Sequence, residues 1–427
     1  MMNPNKPRIL FITPLPPPVH GSAMVSQYIK DSALVNEQYD CDFVNLSTSR
    51  RMDEIGKGGA KKLLRFVGSY VKLFWKLLAH RYDLCYLAIT CHGMGFLKDA
   101  PFVLLCKLFR RKVLIHQHNK GMSGCVDRWP YRWLLPLVYR NAKVMLLSWH
   151  LYDDIARVVT REQVVICANG IPEVDAVGGL NVAGRQVNRD ESLVKSCEAA
   201  VNVAEPRLAD NSYTLDTIQN NENCHPEGVS AMSAAPSLRE RAGGEAPHLL
   251  FLSNLIESKG IYVLLDACKV LKEQGLDFTC DFVGGESKVV SAEAFREAIA
   301  ERGLADRVVY HGPQYGEDKV RFFTQADVFV QPTFDDCFPL TLVEAMQYGL
   351  PIVSTDVGAI PDMIVEGVNG FMCQQRDVPS LVVALETLIK DGELRTQMGE
   401  RGYARYKELY TLEAFEKRFV EALSAKR

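Results

Sequence analysis

Short apolar runs alternate with amphipathic stretches along most of this chain. The clearest runs are RILFIT at 8–13, LCYLAIT at 84–90, VLI at 113–115, LLFL at 249–252 and ADVFVQPTF at 326–334. Between them lie amphipathic stretches such as 261–271, which have a clear apolar side. Alternation of this kind is typical of βα units, in which helices pack on a parallel sheet. The pattern therefore predicts an α/β fold.

The alternation stops between residues 173 and 246. That segment is rich in Asn, Ser, Glu, Ala and Gly and has no sustained hydrophobic period. Such a composition buries too little apolar surface to offset the entropy lost on ordering, so we predict a disordered or weakly ordered linker without chemistry of its own. We accordingly expect one domain at 1–172, a second at 247–400 and amphipathic helices within 401–427.

The length and composition agree with a soluble two-domain protein. A chain of 427 residues is longer than one hydrophobic core usually supports. The net charge of -3 argues against nucleic-acid binding. The twelve cysteines are scattered without a C-x-x-C pair, as expected of reduced thiols. No run reaches the roughly 18 apolar residues of a spanning helix, so we expect a cytoplasmic location.

One stretch of the first domain is both basic and apolar. Residues 57–81 contain seven basic side chains and no acidic one, interleaved with leucine and aromatic residues. A basic amphipathic helix of this kind suits the surface of an anionic membrane, which would place the protein at the inner membrane face. It equally suits a helix that packs its apolar side on the sheet and leaves its lysines in solvent. The two interpretations are compatible, and both stay open.

The most informative stretch is 334–371. Asp336 follows the strand predicted at 326–334, and Glu344 lies eight positions later in a helical run that stops at Gly349. A parallel strand and the helix after it place both carboxylates at the C-terminal edge of the sheet, where open α/β sheets bind ligands. The helix start beside Phe338, Pro339 and Leu340 would present free N–H groups to an anion such as a diphosphate. This edge is therefore expected to hold a polar, negatively charged ligand.

The spacing of Asp336 and Glu344, followed by EAMQYGLPIVSTDVGAIPDMI, resembles the donor-site signature of the retaining glycosyltransferases of family 4. The resemblance implies the GT-B architecture, in which two Rossmann-like domains face a cleft. It also implies a hexosyltransferase-type enzyme that needs neither a metal nor another cofactor. A UDP-sugar is the commoner donor in that family, with GDP-mannose second. The implied acceptor is a glycan or lipid-linked glycan of cell-surface polysaccharide synthesis.

The resemblance also assigns roles to individual residues. Glu344 would hold the donor ribose and Asp336 the donor sugar, while Lys259 would neutralise the diphosphate. His118 would lie beside the reacting sugar, and Gly21, at the start of the first helix, would lie against the diphosphate and the acceptor.

Gly284 is a further donor-binding candidate, and His311 and His116 are weaker candidates for the same site. Gly284 would form a turn over the nucleotide, and His311 would lie near the base. His116 follows the strand at 113–115 together with His118, but a purely structural role is the better interpretation for His116. Two histidines at this spacing, without a third ligand, do not predict a metal site.

Two departures from the family pattern leave a second function open. Asp336 stands where the family has Glu, and Asn254 stands where it has Arg, so one positive charge is absent unless a lysine such as Lys288 compensates. A non-catalytic GT-B subunit that binds a nucleotide sugar is therefore the alternative. A dinucleotide-dependent oxidoreductase is disfavoured because no G-x-G-x-x-G follows the first strand.

Overall fold

A computed structural model describes residues 6–17, 21–47, 60–174 and 246–424 of the chain. The linker predicted at 173–246 lies almost entirely outside the described residues, as does the beginning of the basic stretch at 57–81. Within the described residues the chain forms two six-stranded sheets, and all strand pairs in both are parallel. The expectation of an α/β fold with two Rossmann-like units is confirmed.

The first sheet has the strand order β2-β1-β3-β4-β5-β6. Its strands are β1 (Arg8–Thr13), β2 (Asp40–Asn45), β3 (Leu84–Ile89), β4 (Val113–Gln117), β5 (Lys143–Leu146) and β6 (Val164–Ile166). The helices of this half are α1 (Gly21–Asp31), α2 (Ala33–Gln38), α3 (Ala60–Ala79), α4 (Gly93–Leu108), α5 (Tyr131–Tyr139) and α6 (Tyr152–Ile155). Because helices cover the sheet, its central strands are mostly apolar, and every residue of β4 is buried, including the polar His116 and Gln117.

The second sheet has the order β12-β11-β10-β7-β8-β9. Its strands are β7 (His248–Leu252), β8 (Thr279–Val283), β9 (Val308–Tyr310), β10 (Val328–Val330), β11 (Ile352–Thr355) and β12 (Gly370–Cys373). Its helices are α7 (Ile261–Glu273), α8 (Ala292–Glu301), α9 (Gly316–Gln325), α10 (Leu340–Gln347), α11 (Ile360–Met363) and α12 (Val378–Lys390). The strand order reverses direction between β7 and β10, and this is the point at which doubly wound sheets bind ligands.

Two long helices close the described chain. The first, α13 (Gly392–Leu409), packs on α10, and the second, α14 (Leu412–Ser424), packs on the first sheet. Phe419 of α14 is fully buried, and its ring centroid lies 5.4 Å from that of Tyr86 in β3. The last helix therefore completes the hydrophobic core of the N-terminal half.

The two halves are in direct contact. One continuous apolar cluster contains Leu146 and Ile171 from the first half together with Leu342 and Tyr410 from the second. Polar contacts cross the same boundary, since Gln347 Nε2 donates to the carbonyl oxygen of Pro172 at 2.8 Å.

Candidate functional site

The loops after β7 and β10 meet at the reversal point of the second sheet. The loop after β7 ends in a short 3₁₀ turn, Glu257–Lys259, and Gly260 follows it with a φ of 83°. A Cβ at Gly260 would lie 2.1 Å from the carbonyl oxygen of Pro332 in the loop after β10, so only glycine permits this approach. The close contact brings the side chain of Lys259 to the predicted carboxylates.

Asp336 and Lys259 form the first ion pair of the site. Lys259 Nζ lies 2.6 Å from Asp336 Oδ2 and also donates to the carbonyl oxygen of Asp335 at 3.0 Å. The other oxygen, Asp336 Oδ1, accepts hydrogen bonds from the amides of Cys337 (2.8 Å) and Phe338 (3.2 Å). Only 19% of the lysine side chain and 16% of the aspartate side chain are exposed. The pair is thus held rigidly at the sheet edge.

Glu344 forms the second ion pair, with a residue that the sequence did not single out. Both carboxylate oxygens accept hydrogen bonds from Lys319 Nζ of α9, at 2.6 and 2.7 Å. Glu344 also acts on Tyr28 of α1. Burial and then the charge of Glu344 raise the pKa of Tyr28 to about 12. Glu344 therefore faces the first half of the molecule across the domain boundary. Lys319 carried no sequence signal, since it is one of several charged residues on a polar helix.

The starts of α1 and α10 face each other across the boundary. A Cβ at Gly21, the first residue of α1, would lie 3.7 Å from Leu340 Cδ1 at the first position of α10. Pro339 is the N-cap of α10 and has no side-chain acceptor for the first N–H groups. Phe338 is buried, with its ring centroid 6.1 Å from that of Tyr410. The predicted residues 338–340 therefore lie together with Gly21.

The structure corrects the position of His116. β4 extends to Gln117, so His116 is inside the strand rather than after its end. It is fully buried, and its Nδ1 lies 2.5 Å from the hydroxyl of Tyr86. Burial, followed by the nearby His118, holds the pKa of His116 well below its usual value. His116 is thus a neutral core residue, as its structural interpretation required.

His118 follows the strand and lies above His116. The two imidazole rings are 3.9 Å apart between centroids, and His118 is half-buried. Two residues later, Lys120 Nζ lies 3.3 Å from Asp335 Oδ1 in the opposite domain. The loop that carries His118 therefore contacts the loop that carries Asp336. The sequence analysis gave Lys120 no role.

Gly284, Asn254 and His311 lie on loops at the same edge of the second sheet. A Cβ at Gly284 would lie 1.8 Å from the carbonyl oxygen of Ser253, so this glycine allows the loops after β8 and β7 to pack together. Asn254 accepts a hydrogen bond from the amide of Gly285 at 3.1 Å. His311 follows β9, and its Nε2 lies 2.8 Å from Asp281 Oδ1. Lys288, the proposed compensating cation, is exposed on the loop after β8.

The described residues contain neither a metal-binding cluster nor a membrane-spanning helix. Over 6–17, 21–47, 60–174 and 246–424, no cluster of three or more His, Cys, Asp or Glu residues has a geometry that could hold a metal ion. No helix in these ranges is both long enough and apolar enough to cross a bilayer.

Solved structures with the same arrangement of sheets are numerous. Sucrose-phosphate synthase from Thermosynechococcus elongatus superposes with a TM-score of 0.65 at 16% identity, over 98% of both chains. Anabaena Alr3699/HepE in complex with UDP superposes with a TM-score of 0.64 at 16% identity, over 98% of this chain and 100% of that one. The fold is GT-B.

Sequence comparisons match parts of this GT-B chain to known glycosyltransferases. Residues 239–405 match the family model described as Glycosyl transferases group 1. Amylovoran biosynthesis glycosyltransferase AmsK of Erwinia amylovora is 32% identical over 32% of this chain and 34% of its own length. D-inositol 3-phosphate glycosyltransferase of Streptomyces griseus is 28% identical over 67% of this chain and 61% of its own length. The chain thus aligns with between a third and two thirds of the length of these relatives.

Proposed function

We propose that this protein is a retaining glycosyltransferase that transfers a sugar from a nucleotide diphosphate donor to a glycan or lipid-linked glycan. One observation carries the proposal. Lys259 and Asp336 form an ion pair at the reversal point of the second sheet, and Glu344 lies in the helix that follows Asp336, all within the range that matches Glycosyl transferases group 1. Lys259 would hold the diphosphate together with the N–H groups at the start of α10, and Glu344 would hold the ribose. Asp336 would contact the donor sugar, with His118 on the opposite side of the cleft.

The proposed reaction requires that the substrates are positioned and that the charges developing in the transition state are stabilised. Cleavage of the bond between sugar and diphosphate builds positive charge on the sugar ring and negative charge on the leaving diphosphate. A lysine held in place before the reaction stabilises that negative charge without a cost of reorganisation. The ion pair with Asp336 keeps Lys259 near the position that a diphosphate would occupy.

A UDP-sugar is the donor that we favour, and no metal or other cofactor is invoked. Anabaena Alr3699/HepE, which shares the fold, has been solved with UDP and with UDP-glucose. Lipopolysaccharide outer core galactosyltransferase WaaB and the amylovoran enzyme act in cell-surface glycan synthesis by their names, which supports an acceptor of that class. Retention of configuration rests on the family 4 signature alone.

The exposed side of α3 supports a lipid-linked acceptor at an anionic membrane surface. Leu73 and Leu77 are buried against the domain, while a second apolar stripe faces solvent. It comprises Leu64, Val67, Val71, Phe74, Trp75 and Leu78, which are between 39% and 71% exposed. The exposed Lys72 lies on the same helix. The helix therefore has one apolar side for the core and a second that an anionic bilayer could cover.

Donor binding tests the nucleotide-sugar site that both candidate functions require. The full chain would be titrated with UDP, GDP, ADP and their sugar conjugates, as the protein itself and as Glu344→Ala. We expect one nucleotide family to bind, and the variant to bind it about 10- to 100-fold more weakly, because a charged hydrogen bond to the ribose is lost. Glu301→Ala, an exposed position in α8, is the matched control.

Turnover separates the two functions that the sequence left open. Release of the nucleotide from its sugar conjugate on adding a glycan acceptor would support the enzyme. Tight nucleotide binding without any turnover, which the Asn254 and Asp336 departures would explain, would support a non-catalytic subunit. Unchanged donor affinity in Glu344→Ala would remove this residue from the site.

A further inference from the structure

The site has fewer fixed cations than its ligand requires. Under the proposed function, Asn254 stands where an arginine would neutralise the diphosphate. This side chain instead joins two loops, since Asn254 Oδ1 accepts a hydrogen bond from the amide of Gly285 at 3.1 Å. A nucleoside diphosphate carries at least two negative charges, and Lys259 supplies one positive charge from the second domain.

A second lysine reaches the same place from the first domain. Lys120 Nζ lies 3.3 Å from Asp335 Oδ1, and Lys259 Nζ lies 3.0 Å from the carbonyl oxygen of the same residue. The two ammonium groups therefore converge on one residue from opposite sides of the cleft. Lys120 is 30% exposed and follows His118 by two positions, so it projects from the loop that would face the reacting sugar.

We propose that Lys120 is the second cation of the diphosphate site and takes the place of the arginine missing at position 254. This inference rests on the proposed function. In the ligand-bound state Lys120 would leave Asp335 and donate to the diphosphate. Asp335 can release it readily, because 63% of the aspartate side chain is exposed and its carboxylate regains water. Closing the cleft on the donor would then bring a charge from each domain onto the leaving group.

The ion pair between Lys120 and Asp335 could have a purely structural role, and that role predicts different effects of mutation. If the ion pair between Lys120 and Asp335 were only a latch between domains, removing either partner would have the same effect. If Lys120 binds the diphosphate, only its own removal weakens binding. Loss of the Asp335 charge would free Lys120 and remove a repulsive carboxylate, so binding would stay equal or become tighter.

The experiment is a calorimetric titration of the full chain with UDP, inorganic pyrophosphate and uridine. The variants are Lys120→Met, Lys120→Arg, Asp335→Asn and Lys288→Met, the last of which removes the rival cation on the exposed loop after β8. We expect Lys120→Met to bind UDP and pyrophosphate about tenfold more weakly, the usual effect of losing a charged hydrogen bond. Lys120→Arg should retain most of the affinity, and Asp335→Asn and Lys288→Met should lose none. Uridine should bind all variants alike, because it has no phosphate.

Each other outcome has a definite meaning. Equal UDP affinity in Lys120→Met and the unaltered protein would overturn the assignment of Lys120. So would an equal loss in Asp335→Asn, which would identify a latch, or a loss confined to Lys288→Met. If the unaltered protein bound neither pyrophosphate nor UDP, GDP or ADP, the donor site of the proposed function would itself fail.

Discussion

At the scale of single residues, each carboxylate of the candidate site is paired with a lysine from a different element. Asp336 pairs with Lys259, and Glu344 pairs with Lys319. All four side chains are between 16% and 27% exposed, so an unpaired charge here would lose most of its hydration. Pairing offsets that lost hydration and positions the groups. Such half-buried pairs are better understood as preorganisation than as a source of stability.

The pH dependence of stability tests whether His116 is held neutral in the folded protein. Its folded-state pKa lies well below that of an exposed histidine, about 6.5. Below pH 6.5 the unfolded chain therefore binds a proton that the folded chain excludes, and stability falls by about 1.4 kcal/mol per pH unit. Above pH 6.5 this histidine contributes no pH dependence.

We expect His116→Gln to remove that contribution. Urea unfolding of the protein and the variant at pH 7.5 and pH 5.5 would measure it, with the loss of stability on acidification smaller in the variant by about 1 kcal/mol. His80→Gln is the control, because His80 is exposed to solvent. Identical losses in the protein and in His116→Gln would show that His116 is not held neutral.

At the scale of elements, α3 packs one apolar side on the first domain, and its membrane interpretation stays a prediction. Its buried side contacts the first domain through Leu73 and Leu77, as an ordinary amphipathic helix does. Lys76 Nζ lies 2.5 Å from Asp42 Oδ1 of β2, so this lysine serves the fold. The solvent side keeps Trp75 at 60% exposure and Leu78 at 57%. A contiguous stripe of exposed aromatic and leucine side chains is more apolar surface than a helix that only faces solvent usually exposes.

Membrane binding through α3 should depend on Trp75. Burying a large apolar side chain contributes about 2 kcal/mol, so Trp75→Glu should lower the bound fraction several-fold in sedimentation with vesicles rich in phosphatidylglycerol. Added salt should weaken the binding of the unaltered protein. Val289→Glu, at an 87% exposed position in the second half, is the matched control and should bind normally. Equal binding of Trp75→Glu and the unaltered protein would contradict the membrane proposal.

At the scale of the whole molecule, the last helix links the chain terminus to the candidate site. Phe419 of α14 packs on Tyr86, the hydroxyl of Tyr86 lies 2.5 Å from Nδ1 of His116, and the ring of His116 lies beneath that of His118. A residue close to the C-terminus therefore supports the floor on which His118 lies. The helix follows directly from α13, which packs in the second half.

Phe419→Ala should destabilise the protein by about 3–5 kcal/mol, because it leaves a cavity in the core of the first domain. Chemical denaturation would measure the loss. Lys417→Ala on the same helix is the control, since the pair of Lys417 with Glu413 is exposed and contributes less than about 1 kcal/mol. A loss below about 1 kcal/mol in Phe419→Ala would mean that α14 is not part of the cooperative core.

Much of the fold followed from local pattern. Buried strands are contiguous apolar runs, so β1, β3, β4 and β7 lie within a residue or two of their predicted positions. The helix predicted to start at Leu340 starts there. The role of the linker at 173–246 and those of the site residues stay predictions.

By itself, the sequence determined the succession of βα units and the stretch in which Asp336, Glu344 and the start of α10 lie, because periodicity and a contiguous motif are local properties of a chain. Only the tertiary structure decided that His116 is enclosed within β4, that Lys319 holds Glu344 and that Lys120 reaches Asp335. These contacts join residues distant along the chain. They depend on how loops are folded and how the two sheets are placed, and no local pattern records that.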